Sequence, residues 1–218
     1  MKITVIGATG MVGSRIVAEA ADRGHDIFAA SRRPNSTSAV STAAVRPGVQ
    51  ALPVDARIAS DLNAALAGAD AAVLTVRAAP GQTSQFLSLT EAVLTATAHA
   101  QVPLLVVGGA GPLRSPVDPD SIVLNDPEFV AEEWRDLAAA SLAQLEVCRN
   151  HAADRWTYVS PPAVVEPGDR LGDYQRGTTI LLTDLDGRSW ISTEDLAVAV
   201  VDEAEVPSGE GHFTVAAG

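Results

Sequence analysis

The stretch that decides the fold is the first, "MKITVIGATGMVGSRIVAEAADRGHDIFAASRRP" (residues 1–34). "ITVI" is a short, apolar, β-branched strand, residues 11–23 carry helical periodicity, and "DIFAA" reads as a second strand. Between the first strand and the helix stand Gly7, Gly10 and Gly13. Gly7 permits a tight turn off the strand, Gly10 lets backbone approach a pyrophosphate, and Gly13 lets the helix pack close to the sheet. The helix N-terminus adds unpaired N–H groups and a partial positive charge, both suited to phosphate. The spacing is G-x-x-G-x-x-G, one residue wider than the usual fingerprint, and an ordinary turn can also require glycines. The strand–turn–helix–strand setting supports dinucleotide binding by Gly7, Thr9, Gly10, Met11, Val12 and Gly13.

The second strand ends in Ser31, Arg32 and Arg33, where an NAD-preferring protein usually places a carboxylate for the adenine ribose. Asp26 lies at the strand's start, too early for that role. Guanidinium groups match a 2′-phosphate in charge and in forked geometry, so the expected cofactor is NADP, with NADPH preferred over NADH. The plainer alternative is a pair of surface arginines in a chain that favours arginine: of 15 basic residues only Lys2 is a lysine. Asp55 ends the third strand in "PVDAR", beside Ala56. It could accept from the adenine amino group, or cap the helix that starts near Ile58. Thr75 and Val76, which end the fourth strand, and Gly108 and Gly109, which end the fifth, are expected to line the same groove. A valine at Gly109 is expected to block that passage while leaving the fold intact.

Apolar strands alternate with helices along the whole chain, through "VQALPVD", helix 59–67, "AAVLTV", helix 84–99, "PLLVVGG", helix 130–151 and "WTYVS". Continuous apolar strands separated by helices indicate a doubly wound parallel α/β sheet covered on both faces, a Rossmann-type fold. The pattern loosens in residues 108–129 and 161–190, which follow the C-terminal ends of predicted strands, the edge where such sheets bind ligands. The expected organisation is one domain over residues 1–218, with these two loops forming a small C-terminal substrate lobe. "STEDLAVAVVDEA" reads as a helix capped by Ser192 or Thr193.

With 218 residues, 47% of them hydrophobic, the chain can bury a substantial core. A formal charge of −12 opposes nucleic acid as a partner. The single cysteine, Cys148, forms no internal disulfide and suits a reducing cytoplasm. No apolar run reaches the roughly 20 residues needed to span a bilayer. His25, His99, His151 and His212 are too scattered for a zinc site, and "SPVDPDSIVLND" lacks the glycine and terminal glutamate of an EF-hand loop, so no metal is expected. Either a monomer or a homodimer fits.

"GATGMVG", the Arg32 position and "PVDAR" resemble the short-chain dehydrogenase/reductase superfamily in its extended or atypical branch. Its usual members work through Tyr-x-x-x-Lys plus a serine. Here the residues four after Tyr158 and Tyr174 are Pro162 and Thr178, and Lys2 starts the first strand. Alcohol–ketone interconversion by that route is therefore not expected, and no catalytic side chain is assigned. The C-terminal half resembles the NAD(P)H-flavin reductase group, with NmrA-like and biliverdin-reductase-B-like relatives, in Ser160-Pro161-Pro162, "EPGDR" (Glu166 to Arg170) and "ISTEDLA" (Ile191 to Ala197). That resemblance implies Ser160 and Pro161 beside the nicotinamide and hydride transfer to a small-molecule electron acceptor, a flavin or a similar planar group. Such an acceptor exchanges protons with solvent, so alignment supplies most of the acceleration. Trp134, Tyr174 or Phe129 could offer a stacking face, with Trp134 and Tyr174 the chosen candidates; each is also an ordinary packing residue. The alternatives are an NADP(H)-binding redox sensor without turnover and an epimerase or dehydratase.

Overall fold

The computed structural model describes residues 1–33, 46–118 and 120–218. In chain order it contains β1 (Lys2–Ile6), α1 (Met11–Asp22), β2 (Asp26–Ser31), β3 (Val49–Pro53), α2 (Ala59–Leu66) and β4 (Ala71–Leu74). Then come α3 (Thr83–Ala100), β5 (Leu104–Val107), α4 (Arg135–Asn150), β6 (Trp156–Ser160), β7 (Val164–Glu166) and β8 (Tyr174–Gly177). The chain closes with β9 (Trp190–Ser192), α5 (Thr193–Glu205) and β10 (His212–Ala217).

The main sheet runs β3-β2-β1-β4-β5-β6-β10-β8, and only β8 is antiparallel to its neighbour. The strand order reverses beside β1, where β2 lies on one side and β4 on the other, opening the crevice typical of doubly wound sheets. Every residue of β4 and β5 is buried. Helices on both sides explain those unbroken apolar runs: α1 and α5 cover one face, and α2, α3 and α4 the other. At the start of β1, Lys2 Nζ donates to the Ala67 carbonyl (2.8 Å) and sits 4.1 Å from the Phe28 ring centre.

The helix expected over 130–151 begins only at Arg135, after a 3₁₀ turn at Glu132–Trp134. Ser192 caps α5 as expected, its hydroxyl accepting from the Asp195 N–H at 2.9 Å. The region read as loop, 161–190, holds β7 and β8, and β9 starts at its end; at three or four residues they are too short to show a period.

The two loosely patterned segments meet. Arg114 N–H donates to Thr179 O (2.8 Å), and Leu181 N–H donates back to Arg114 O (3.0 Å). Leu113, Val123, Val130 and Leu181 bury a small apolar centre, against which Phe129, Ala110 and Ala138 pack. The stretch after β7 is then fastened across α1 and α5. The Asp195 carboxylate accepts from the N–H groups of Leu171 (2.9 Å) and Gly172 (2.8 Å), and Glu194 accepts from Gly168 N–H (2.9 Å). Arg170 forks onto Glu19 at 2.6 and 2.8 Å. "EPGDR" and "ISTEDLA" thus meet as a clasp.

Candidate functional site

The glycine turn leaves β1 at Gly7, whose φ of +94° lies in the left-handed region that favours glycine. The N–H groups of Gly7 and Ala8 both donate to Ala30 O (3.0 and 3.2 Å), and Gly10 N–H donates to Gly7 O (2.9 Å). A Cβ on Gly13 would lie 2.3 Å from Gly7 O and 2.6 Å from Thr75 Oγ1. The third glycine is therefore set by the approach of α1 to the turn and to β4. Thr75, expected in the groove, props the turn from beneath: its hydroxyl donates toward the Ile6 and Gly7 carbonyls (3.4 and 3.3 Å). The α1 helix starts with no side-chain cap and no acidic residue in its first turn. Its opening N–H groups at Met11, Val12 and Gly13 make a cradle suited to a pyrophosphate.

Beyond the ends of β2 and β3, Thr9, Arg32, Arg33, Pro53, Val54, Asp55, Arg57 and Asp61 line an open cleft of about 590 Å³. Arg32 and Arg33 are exposed, and the Ser31 hydroxyl is buried with no hydrogen-bond partner among the described residues. Asp55 has a resident partner. Arg57 clasps it with Nε on Oδ1 (2.9 Å) and Nη2 on Oδ2 (2.5 Å), and Arg57 N–H adds a bond of 3.1 Å. These bonds hold the carboxyl down at about 2. The cap of α2 is also reversed from expectation: Asp61 in the helix's first turn accepts from Asp55 N–H at 3.0 Å. Ala56 is buried in the core beside α2, and Val76 packs partly buried against the same cluster. Arg57 and Asp61 went unread, although "DAR" places a cation two residues from the carboxylate, close enough for a local pair.

At the opposite end of the groove the glycines are fixed by close packing. A Cβ on Gly108 would fall 1.9 Å from the Tyr158 hydroxyl, and one on Gly109 would fall 3.0 Å from the Ser141 side chain. A valine at Gly109 would push against α4, so the expectation of an unharmed fold is corrected. Tyr158 is fully buried; its hydroxyl donates to Ser141 O (2.8 Å) and lies 3.2 Å from Gln144 Oε1. Burial raises its pKa far above the ordinary tyrosine value. Ser160 and Pro161 are buried too, with Ser160 Oγ 2.9 Å from His212 Nε2. Burial depresses the His212 imidazole to about 4.

The structure separates the two candidate stacking residues. Trp134 is 55% exposed at the start of α4, whose Ala138 carbonyl crowds Gly111. Tyr174 packs against the core on the opposite, α1/α5, face, and its hydroxyl donates to Asp202 at 2.8 Å. Burial, then the Asp202 bond, pushes it up to about 12. Contrary to expectation, Tyr174 is not free to stack on a substrate, because its ring and its hydroxyl are both engaged in helix packing. Phe129 likewise packs against the lobe's apolar centre. Among the described residues no cluster of three or more His, Cys, Asp or Glu side chains gathers as a metal site, and no helix is long and apolar enough to cross a membrane.

The sequence profile of the NAD(P)H-binding family matches residues 7–207. The chain is 34% identical over 218 residues to "Uncharacterized protein YwnB" of Bacillus subtilis (strain 168), covering 99% of this chain and 98% of that one. A solved structure from Streptococcus pneumoniae TIGR4, described as a "putative NADH-flavin reductase", is 29% identical over 100% of both chains, with a TM-score of 0.86. A "putative epimerase" from Bacteroides thetaiotaomicron is 28% identical, covering 99% of this chain and 96% of that one, with a TM-score of 0.87. With its oxidoreductase-like Rossmann fold and glycine turn, the chain belongs to the NAD(P)H-binding family.

Proposed function

We propose that the protein is an NADPH-dependent reductase whose second substrate is a flavin or a similar planar acceptor. The observation that carries the reading is that neither tyrosine is placed to move a proton in an open groove. Tyr158 is sealed behind Gly108, and Tyr174 is bonded to Asp202 on the α1/α5 face. The only lysine, Lys2, sits at the start of β1. When bound, the reduced nicotinamide supplies a hydride. The chain's own task is to bind and align. The α1 start and the glycine turn hold the pyrophosphate, and Arg32 and Arg33 hold the adenosine 2′-phosphate. The lobe built on Leu113, Val123, Val130 and Leu181 walls the acceptor side, with exposed Trp134 as the stacking face that remains. The name of the Streptococcus relative supports a flavin in that place. The buried thiol of Cys148 suits the cytoplasm.

The test is NADPH oxidation followed by absorbance against a panel of flavins, quinones and azo dyes. A flavin should be the best acceptor, with a rate nearly flat between about pH 6 and 8, because no side chain of the groove need titrate there. Tight NADPH binding with no oxidation of any acceptor would assign a sensor instead. A bell-shaped profile would reveal an acid–base pair and reopen the epimerase reading that the Bacteroides relative's name suggests.

A further inference from the structure

We propose that Arg57 sets the preference for a 2′-phosphorylated adenosine by serving as the resident counter-ion of Asp55, so that Arg32 is not drawn into pairing with that carboxylate. This rests on the reading of the β2–β3 cleft as the 2′-phosphate end.

The cleft is an odd place for an anion as it stands, since two carboxylates, Asp55 and Asp61, lie in its wall with the three arginines. Asp61 is accounted for: it sits in the first turn of α2 and accepts the Asp55 N–H, where the helix dipole favours a negative charge. Asp55 would stand as a bare charge facing an incoming phosphate. Arg57 removes that obstacle with a two-point fork, the strongest ordinary arrangement of guanidinium and carboxylate. Only one residue separates the partners, and the Arg57 N–H bonds the same carboxylate, so the pair assembles from local geometry without help from a ligand. Arg32 is near enough for its charge to act on Asp55. Without Arg57, Arg32, which lines the same cleft and whose charge already acts on Asp55, is left to compensate the carboxylate. A phosphate would then lose its cation and meet a repulsive neighbour together. A ribose with a free 2′-hydroxyl carries no charge there and would feel little of either change, so the effect must discriminate between the two ligands.

The experiment measures binding of 2′,5′-ADP and 5′-AMP to the full chain by calorimetry, which needs no turnover. Arg57→Ala should weaken 2′,5′-ADP about tenfold, the scale of one charge interaction at a partly exposed site, and change 5′-AMP by less than about twofold. Adding Asp55→Asn to Arg57→Ala should restore most of the lost affinity, because the uncompensated charge is then gone. Asp55→Asn alone should bind 2′,5′-ADP at least as well as the parent chain, and it serves as the check if Arg57→Ala does not fold. A double variant as weak as Arg57→Ala would overturn the proposal, since Arg57 would then grip the phosphate itself. Equal weakening of both ligands would also overturn it and make the pair scaffolding. Equal binding of both ligands by the parent chain, unaltered by Arg32→Ala, would remove the cleft assignment itself and the inference with it.

Discussion

The two ends of the groove are built on opposite principles. At the β2–β3 end the chain presents charged side chains to an open cleft: Arg32 and Arg33 are exposed, and Arg57 with Asp55 forms part of the wall. At the β5–β6 end it withdraws its side chains. Gly108 is glycine because the Tyr158 ring fills its place, Gly109 stands close against the Ser141 side chain, and the Ser160 hydroxyl turns to His212. In the proposed function, recognition at the first end is a matter of charge and can be altered without touching the core. At the second end the surface offered to a ligand is backbone, held in place by buried packing, so specificity and stability cannot be separated there.

The sharpest way to break this contrast is at Gly108. Alanine there must displace the Tyr158 ring, and such overpacking should cost about 3 kcal/mol. The midpoint of thermal unfolding should fall by roughly 6–12 °C, measured by calorimetry. A shift under about 2 °C would mean that the closed end yields easily. At the open end, Arg32→Ala should leave the unfolding midpoint unchanged yet weaken NADPH by roughly ten- to a hundredfold, with NADH nearly untouched. Titration of both cofactors checks this, and a fall in thermal stability would show that charge and packing are linked there too. The smallest effect concerns pH. The fold holds His212 neutral, its imidazole depressed to about 4. Lowering the pH from about 6.5 to about 4 therefore protonates that group only in the unfolded chain and erodes stability, by about 1 kcal/mol once partial exposure is discounted. Above about 6.5 its contribution is constant. His212→Gln should flatten that part of the stability curve in denaturant titrations at several pH values.

The same contrast decided what could be read from residues alone. The parallel sheet was legible because buried strands such as β4 and β5 are apolar without interruption, and the glycine turn because its three glycines fall between a strand and a helix. The place of the arginines at the cleft was legible because it depends only on where β2 stops. The closed end was not. Glycine in "VVGG" says that something comes close, and the structure identifies it as Tyr158, some 50 residues later, and Ser141 on α4. No local pattern encodes that meeting. Tyr174 was misread for the same reason: its partner Asp202 is brought to it by the packing of α5, which sequence spacing does not show. "EPGDR" and "ISTEDLA" carried a family likeness without revealing their purpose. Their meeting is the clasp in which Gly168 N–H donates to Glu194, continued by Asp195 on the backbone just beyond, at Leu171 and Gly172.

Lys2, the single lysine of the chain, stands where β1 begins, at the edge of the sheet away from the glycine turn, with its amine lodged on the Ala67 carbonyl and over Phe28. Amine-directed chemistry on side chains consequently has one address. A biosensor surface or a resin that couples through lysine would hold every molecule by the same end, with the glycine turn and the arginine cleft facing outward into the flow.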